Sequence, residues 1–185
     1  MKIGVFVGSF NPVQKAHAEI VHTLINKKYV DKVLIIPTNN YWNKTNIIDL
    51  KHRINMLSNY ENEDIIIDRE LNDVQYTYQI MDELKKRYPN DELALIIGAD
   101  NIISFDKWVN YQDLLKLRLI ICKRGGVDIE SYLKKLNKVD NYDIVDMNND
   151  ASSTSVRDNL DNMEILKKYL DDAVIKYILE NNLYK

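Results

Sequence analysis

Several short stretches carry residue types suited to holding anions. Gly8-Ser9-Phe10-Asn11-Pro12 leads toward His17, Gly98 is followed by Asp100 and Asn101, Lys123-Arg124 precedes Gly125-Gly126, and Ser152-Ser153-Thr154-Ser155 runs into Arg157. Loop amides and glycines ahead of a helix start stabilise a negative group. Serine and threonine hydroxyls there either cap the helix or hold phosphate oxygens, and an arginine one turn on adds a two-pronged contact to phosphate. Together these residues imply a polyphosphate ligand. Neither G-x-x-x-x-G-K-[ST] nor G-x-G-x-x-G occurs, so the loop is of another kind. Taken alone, the first stretch is equally compatible with an ordinary strand-to-helix connection.

The elements that must position these residues are legible in the apolar pattern. Ile3, Val5 and Val7, with Phe6 between, form a buried strand that stops at Gly8-Ser9. Ile20, Val21, Leu24 and Ile25 recur at helical spacing from His17 onward. Lys32 to Pro37 reads as the second strand, and Thr38 to Asn46 as a polar loop carrying Asn40, Trp42 and Lys44. A helix follows Asp49, a suitable N-cap, with Ile54 and Leu57 facing inward. Further strands are expected at Asp64 to Asp68, Leu93 to Ile97, Leu119 to Cys122 and around Ile144-Val145. Further helices are expected at Tyr78 to Tyr88, Ser131 to Leu136, and over the last forty residues with breaks near Asn162 and Asp171.

Strands that are continuous apolar runs, alternating with helices, imply an α/β fold: a Rossmann-like parallel sheet with helices on both faces. No repeat, low-complexity tract or linker interrupts it, so residues 1–185 are read as a single domain. Such sheets bind ligands at the carboxyl ends of their strands, near the point where strand order reverses. The anion-binding stretches all follow strands.

Composition narrows the partners. A net charge of -3 and a pI near 5.7 argue against a general nucleic-acid or membrane-surface binder. Cys122, the one cysteine, rules out an internal disulfide framework and fits a reducing compartment. The first strand follows Met1-Lys2 directly, and no apolar run approaches the ~20 residues that spanning a bilayer needs, so the expectation is a cytoplasmic protein. Oligomeric state is left open, and a homo-oligomer is compatible with the sequence.

The motifs become specific as an ordered set. G-S-F-N-P-V-x-x-x-H after the first strand, I-I-G-A-D after the fourth and S-S-T-x-x-R near the end resemble the nicotinate-nucleotide adenylyltransferases, within the HxGH nucleotidyltransferase superfamily. Arg69-Glu70-Leu71, Tyr76-Thr77, Phe105 with Trp108, Tyr111 with Leu114-Leu115, and Tyr177-Ile178 with Leu183-Tyr184 are similar in the same order. The resemblance covers essentially the whole chain.

It implies an enzyme that joins the phosphate of nicotinic acid mononucleotide to the AMP part of ATP, with Mg²⁺, releasing pyrophosphate in a step of NAD synthesis. No protein nucleophile is needed; the protein positions two anions and stabilises the charge that builds between them. By resemblance, His17, Arg157 and Lys44 are the catalytic residues. Gly8, Ser9, Phe10, His17, Gly98, Asp100, Ser153, Thr154 and Arg157 would bind ATP, and Asn40, Lys44, Thr77, Trp108 and Arg124 the mononucleotide, Trp108 by stacking on the pyridine ring. The resemblance implies no protein metal ligands.

The family's H-x-G-H reads Gln14-Lys15-Ala16-His17 here. Gln14 donates a hydrogen bond without carrying charge, and Ala16 adds a methyl where a backbone close to phosphate would prefer none. The usual Pro-Pro-His ahead of Lys44 reads Tyr41-Trp42-Asn43. Two alternatives therefore stand beside the adenylyltransferase: a catalytically weakened nucleotide-binding relative, and a nucleotidyltransferase for another phosphorylated small molecule. Lys15 is either solvent-facing or a partial replacement for the charge missing at Gln14. His22 and His52 read as structural or exposed, and Cys122 as a small buried hydrophobe.

Overall fold

Alternate residues of each apolar run face opposite sides of one sheet, and both sides are covered. Phe6, Val33, Ile35, Ala94, Ile96, Ile120 and Cys122 point to one face. Ile3, Val5, Leu34, Ile36, Leu95, Ile97, Leu119 and Ile121 point to the other. Burial on both faces explains why the strands carry no polar alternation. The computed structural model describes residues 1–39, 46–136, 139–148 and 153–185.

Strands β1 (Lys2–Gly8), β2 (Lys32–Pro37), β3 (Ile65–Ile67), β4 (Glu92–Gly98), β5 (Arg118–Lys123) and β6 (Tyr142–Asp146) form a six-stranded sheet in the order β3-β2-β1-β4-β5-β6. Every pairing is parallel. The order reverses between β1 and β4. Phe6 lies level with Ile96, so Gly8 and Gly98, two residues further on, end neighbouring strands side by side.

Helices α1 (Lys15–Asn26), α2 (Leu50–Leu57), α7 (Ser153–Arg157), α8 (Met163–Tyr169) and α9 (Asp172–Glu180) cover the first face. Helices α3 (Thr77–Arg87), α4 (Ala99–Ile102), α5 (Tyr111–Leu114) and α6 (Ile129–Leu136) cover the second. The apolar periodicity located the long elements to within one or two residues. It assigned nothing to α4, α5 or the single turn at Phe105–Lys107, which are too short to show a period. Asp49 does precede α2, but its side chain makes no capping bond. Leu57 faces inward as expected and Ile54 packs at the edge of the core. The largest of the fully buried side chains is Arg53, on α2. Among the described residues no helix is long and apolar enough to cross a membrane.

Candidate active site

The loop leaving β1 is built around two aromatic rings. Phe10 takes a left-handed backbone (φ 47°) that turns its ring inward, edge-on to Phe6 at 5.2 Å and to His17 at 5.1 Å. A side chain on Gly8 would begin 3.2 Å from that ring, so the glycine makes room for Phe10. The sequence placed Phe10 among ATP-binding residues. Its ring is buried, so only its main chain is left to face a ligand.

At the start of α1, Gln14 and His17 cap each other. The Gln14 side chain accepts from the His17 main-chain N–H, and the Gln14 main-chain N–H donates to His17 Nδ1 at 3.0 Å. A main-chain N–H can only donate, so Nδ1 is an acceptor and the imidazole proton sits on Nε2. Enclosure by Phe6 and Phe10, aided by the nearby Arg124 guanidinium, pushes the His17 pKa down to about 4. At neutral pH His17 is an uncharged donor. Ala16 is buried in the interior, so its methyl does not occupy the space of an approaching phosphate. Lys15 supplies no charge for Gln14: its Nζ donates to the Lys167 carbonyl at 2.7 Å, tying α1 to α8.

Asn11 joins the other walls to this loop. It donates from Nδ2 to the Asn46 carbonyl at 2.8 Å, and its Oδ1 accepts from Ile48 N–H at 3.3 Å and from the Tyr184 hydroxyl at 2.8 Å. Its carbonyl accepts from Arg157 Nη1 at 2.8 Å, while Arg157 Nη2 reaches Thr154 Oγ1 at 3.4 Å. Arg157, with Thr154 beside it, is thus brought to the β1 loop. At the ends of the neighbouring strands β4 and β5, Arg124 Nη2 lies 3.2 Å from Asp100 Oδ2, over Gly98. Arg124, expected on the mononucleotide side, therefore bridges toward the ATP-side residues Gly98 and Asp100.

Beyond Asp100 a cleft of about 280 Å³ opens between α3 and the turn after α4, lined by Tyr76, Thr77, Asn101, Lys107 and Trp108 among others. Trp108 is half-buried with its ring 5.0 Å from that of Phe105, leaving part of it open to the cleft. Thr77 begins α3, whose N-cap position carries no side-chain capping bond. Asn40, Lys44, Trp42 and Ser152 lie outside the described residues; Ser153 is the first residue of α7. Among the described residues no cluster of three or more His, Cys, Asp or Glu could hold a metal ion.

The cytidylyltransferase-like family model matches residues 5–159. A Bacillus subtilis nicotinate-nucleotide adenylyltransferase is 31% identical across 100% of this chain and 98% of its own. An Acholeplasma laidlawii relative described as "Probable nicotinate-nucleotide adenylyltransferase" is 36% identical across 98% and 96%. The chain belongs to the nicotinate-nucleotide adenylyltransferase family. The solved Plasmodium falciparum nicotinic acid mononucleotide adenylyltransferase, in complex with NaAD, superposes with a TM-score of 0.85 at 24% identity over 99% of this chain and 97% of that one, a likeness of fold. As an adenylyltransferase-family chain it carries two groups that the sequence reading left unremarked, Arg53, which bonds to loop carbonyls, and Lys107, which lines the cleft; Asn11 and Tyr184, named there only as motif positions, bond to each other across the loops.

Proposed function

We propose that this nucleotidyltransferase transfers the adenylyl group of Mg-ATP to the phosphate of nicotinic acid mononucleotide. A phosphate oxygen of the mononucleotide attacks the α-phosphorus, the bond to the β-phosphate oxygen breaks, and pyrophosphate leaves. The observation that carries this reading is the convergence of His17, Arg124 and Arg157 at the β1–β4 reversal, next to a ring-sized cleft holding Thr77 and Trp108.

In this reading the Nε2–H of His17 donates to the phosphate oxygens where charge builds, needing no proton transfer because the ring is already neutral. Arg157 and Thr154, with Ser153, hold the triphosphate. The loop amides of Gly8, Ser9 and Phe10 approach it from the other side. Gly98 leaves space for the adenosine and Asp100 hydrogen-bonds it. Lys44 and Asn40 meet the mononucleotide phosphate, and Arg124 sits between the two substrates. Trp108 stacks on the pyridine ring beside Thr77. Lys107 is the charged residue of the cleft lining, which favours the carboxylate of nicotinic acid over the amide of nicotinamide. Mg²⁺ enters as the counter-ion of ATP and spreads the triphosphate charge.

Residues 1–185 act as one nucleotidyltransferase-like domain in a reducing, cytoplasmic setting, with no nucleic acid or membrane partner; a homo-oligomer is compatible with the reading. The test is pyrophosphate release from Mg-ATP with nicotinic acid mononucleotide and nicotinamide mononucleotide supplied separately. Faster release with the acid is expected. ATP binding without release from either mononucleotide would move the reading to a weakened relative or to another phosphorylated acceptor.

A further inference from the structure

Arg53 is a charge enclosed in the protein interior, 1% exposed, on the inward face of α2 beside Met56 and Leu57. A plain packing role on that face would be met by another apolar side chain, because burying a cation is costly unless its hydrogen bonds are made. Arg53 makes them, and the acceptors are informative. Nη1 donates to the Ser9 carbonyl and to the Thr38 carbonyl, both at 2.7 Å, and Nε donates to the Ile48 carbonyl at 3.1 Å.

These carbonyls mark where the sheet stops holding the substrate loops. β1 and β2 pair through Gly8 and Pro37, and the Thr38 N–H still reaches the Gly8 carbonyl at 2.9 Å. One residue later the chains part. Ser9 starts the loop to His17, and Thr38 starts the loop that returns at Ile48. Arg53 takes over there, so the guanidinium continues the β1–β2 connection one step past the end of the ladder. A planar fork can span two carbonyls and a third; an ammonium on a flexible stem cannot keep that spacing.

We propose that Arg53 is a positioning residue that fixes the distance between the β1 loop and the loop after β2, and so aligns the two substrates for in-line attack. This rests on the adenylyl-transfer reading above. A small misplacement of reacting groups reduces turnover more than binding, because in-line attack depends more steeply on geometry than binding does.

Arg53→Lys keeps the charge and removes the span; Arg53→Gln keeps a donor and removes the charge. For each, kcat and the KM values for Mg-ATP and the mononucleotide are measured per folded molecule, beside amide exchange at Thr38 and, as a control, at Leu95 and Ile96 in β4. For Arg53→Lys we expect kcat to fall about 100-fold with both KM values within about threefold. Thr38 exchange should rise about tenfold while the β4 amides stay protected. Unchanged kcat, or a change confined to one KM, overturns the proposal, as does Thr38 exchange equal to wild type. If neither variant folds, Arg53 is a folding residue and the proposal falls. If wild-type protein turns over neither mononucleotide, the functional reading fails by itself; Thr38 exchange in the variants then decides whether Arg53 sets the loop spacing.

Discussion

Gln14 and His17 form a closed pair, the main-chain N–H of Gln14 on His17 Nδ1 at 3.0 Å and the Gln14 side chain on the His17 N–H. The pair settles which nitrogen carries the proton. It also gives Gln14 a task, helix capping, that needs an acceptor oxygen and no charge. The departure from a histidine at this position is therefore accommodated within the cap.

His17 should remain neutral across the working pH range. Its folded pKa of about 4 lies below the ordinary value of 6.5. Between those values the unfolded chain binds more protons, so this group's contribution to stability is complete above about 6.5 and is lost as pH falls toward 4. Imidazole NMR titration should give about 4 for His17, with no His17 step in turnover between pH 5 and 8. A titration near 6.5 would remove the neutral-donor role. His17→Ala should stay folded and lose turnover by about 10²- to 10³-fold, the usual loss of one preorganised donor.

The cap itself is measurable. Gln14→Ala should lower stability by about 1 kcal/mol, a shift of roughly 2–4 °C in Tm for a chain of this size. Ala16→Gly should cost about 1 kcal/mol through helix propensity without raising turnover, since the Ala16 methyl is buried away from the ligand space. A sharp gain in turnover for Gln14→His with Ala16→Gly would instead revive the weakened-relative reading.

The sheet and its strand ends were legible because burial on both faces writes itself as unbroken runs such as Val33-Leu34-Ile35-Ile36. Those runs led directly to Gly8, Gly98, Arg124 and Arg157. What binds the ends together was not legible. Arg53 sits in a polar-looking helix, Leu50–Leu57, and its partners are main-chain carbonyls at 9, 38 and 48. No spacing rule announces a side chain that bonds to distant carbonyls. Tyr184 is visible in the sequence as a motif position, but its bond to Asn11, 173 positions away, is not. The inward turn of the Phe10 ring was not legible either, because it comes from a positive φ within the motif.

Cys122 offers a check on the packing beneath the site. It is fully buried at the end of β5, and that burial, partly offset by Arg124, pushes its thiol up to about 12. The thiolate is the reactive form, so alkylation at pH 8 should be negligible in the folded protein and fast in denaturant. Ready labelling of the native protein would mean that β5 opens locally.

The cleft makes the sharpest specificity prediction. Lys107 is the charged member of a lining otherwise formed by Gln75, Tyr76, Thr77, Asn101, Trp108 and Val109. Nicotinic acid mononucleotide brings a carboxylate to such a cleft; nicotinamide mononucleotide brings a neutral amide of nearly the same shape. A solvent-reachable ammonium discriminates modestly, so Lys107→Met should lower kcat/KM for the acid about fivefold and leave the amide within about twofold. The ratio of the two, measured in parallel by pyrophosphate release, should contract accordingly, and more so at low ionic strength, where the attraction is least screened. Equal losses for acid and amide would show that Lys107 supports the wall near Trp108 without reading the charge.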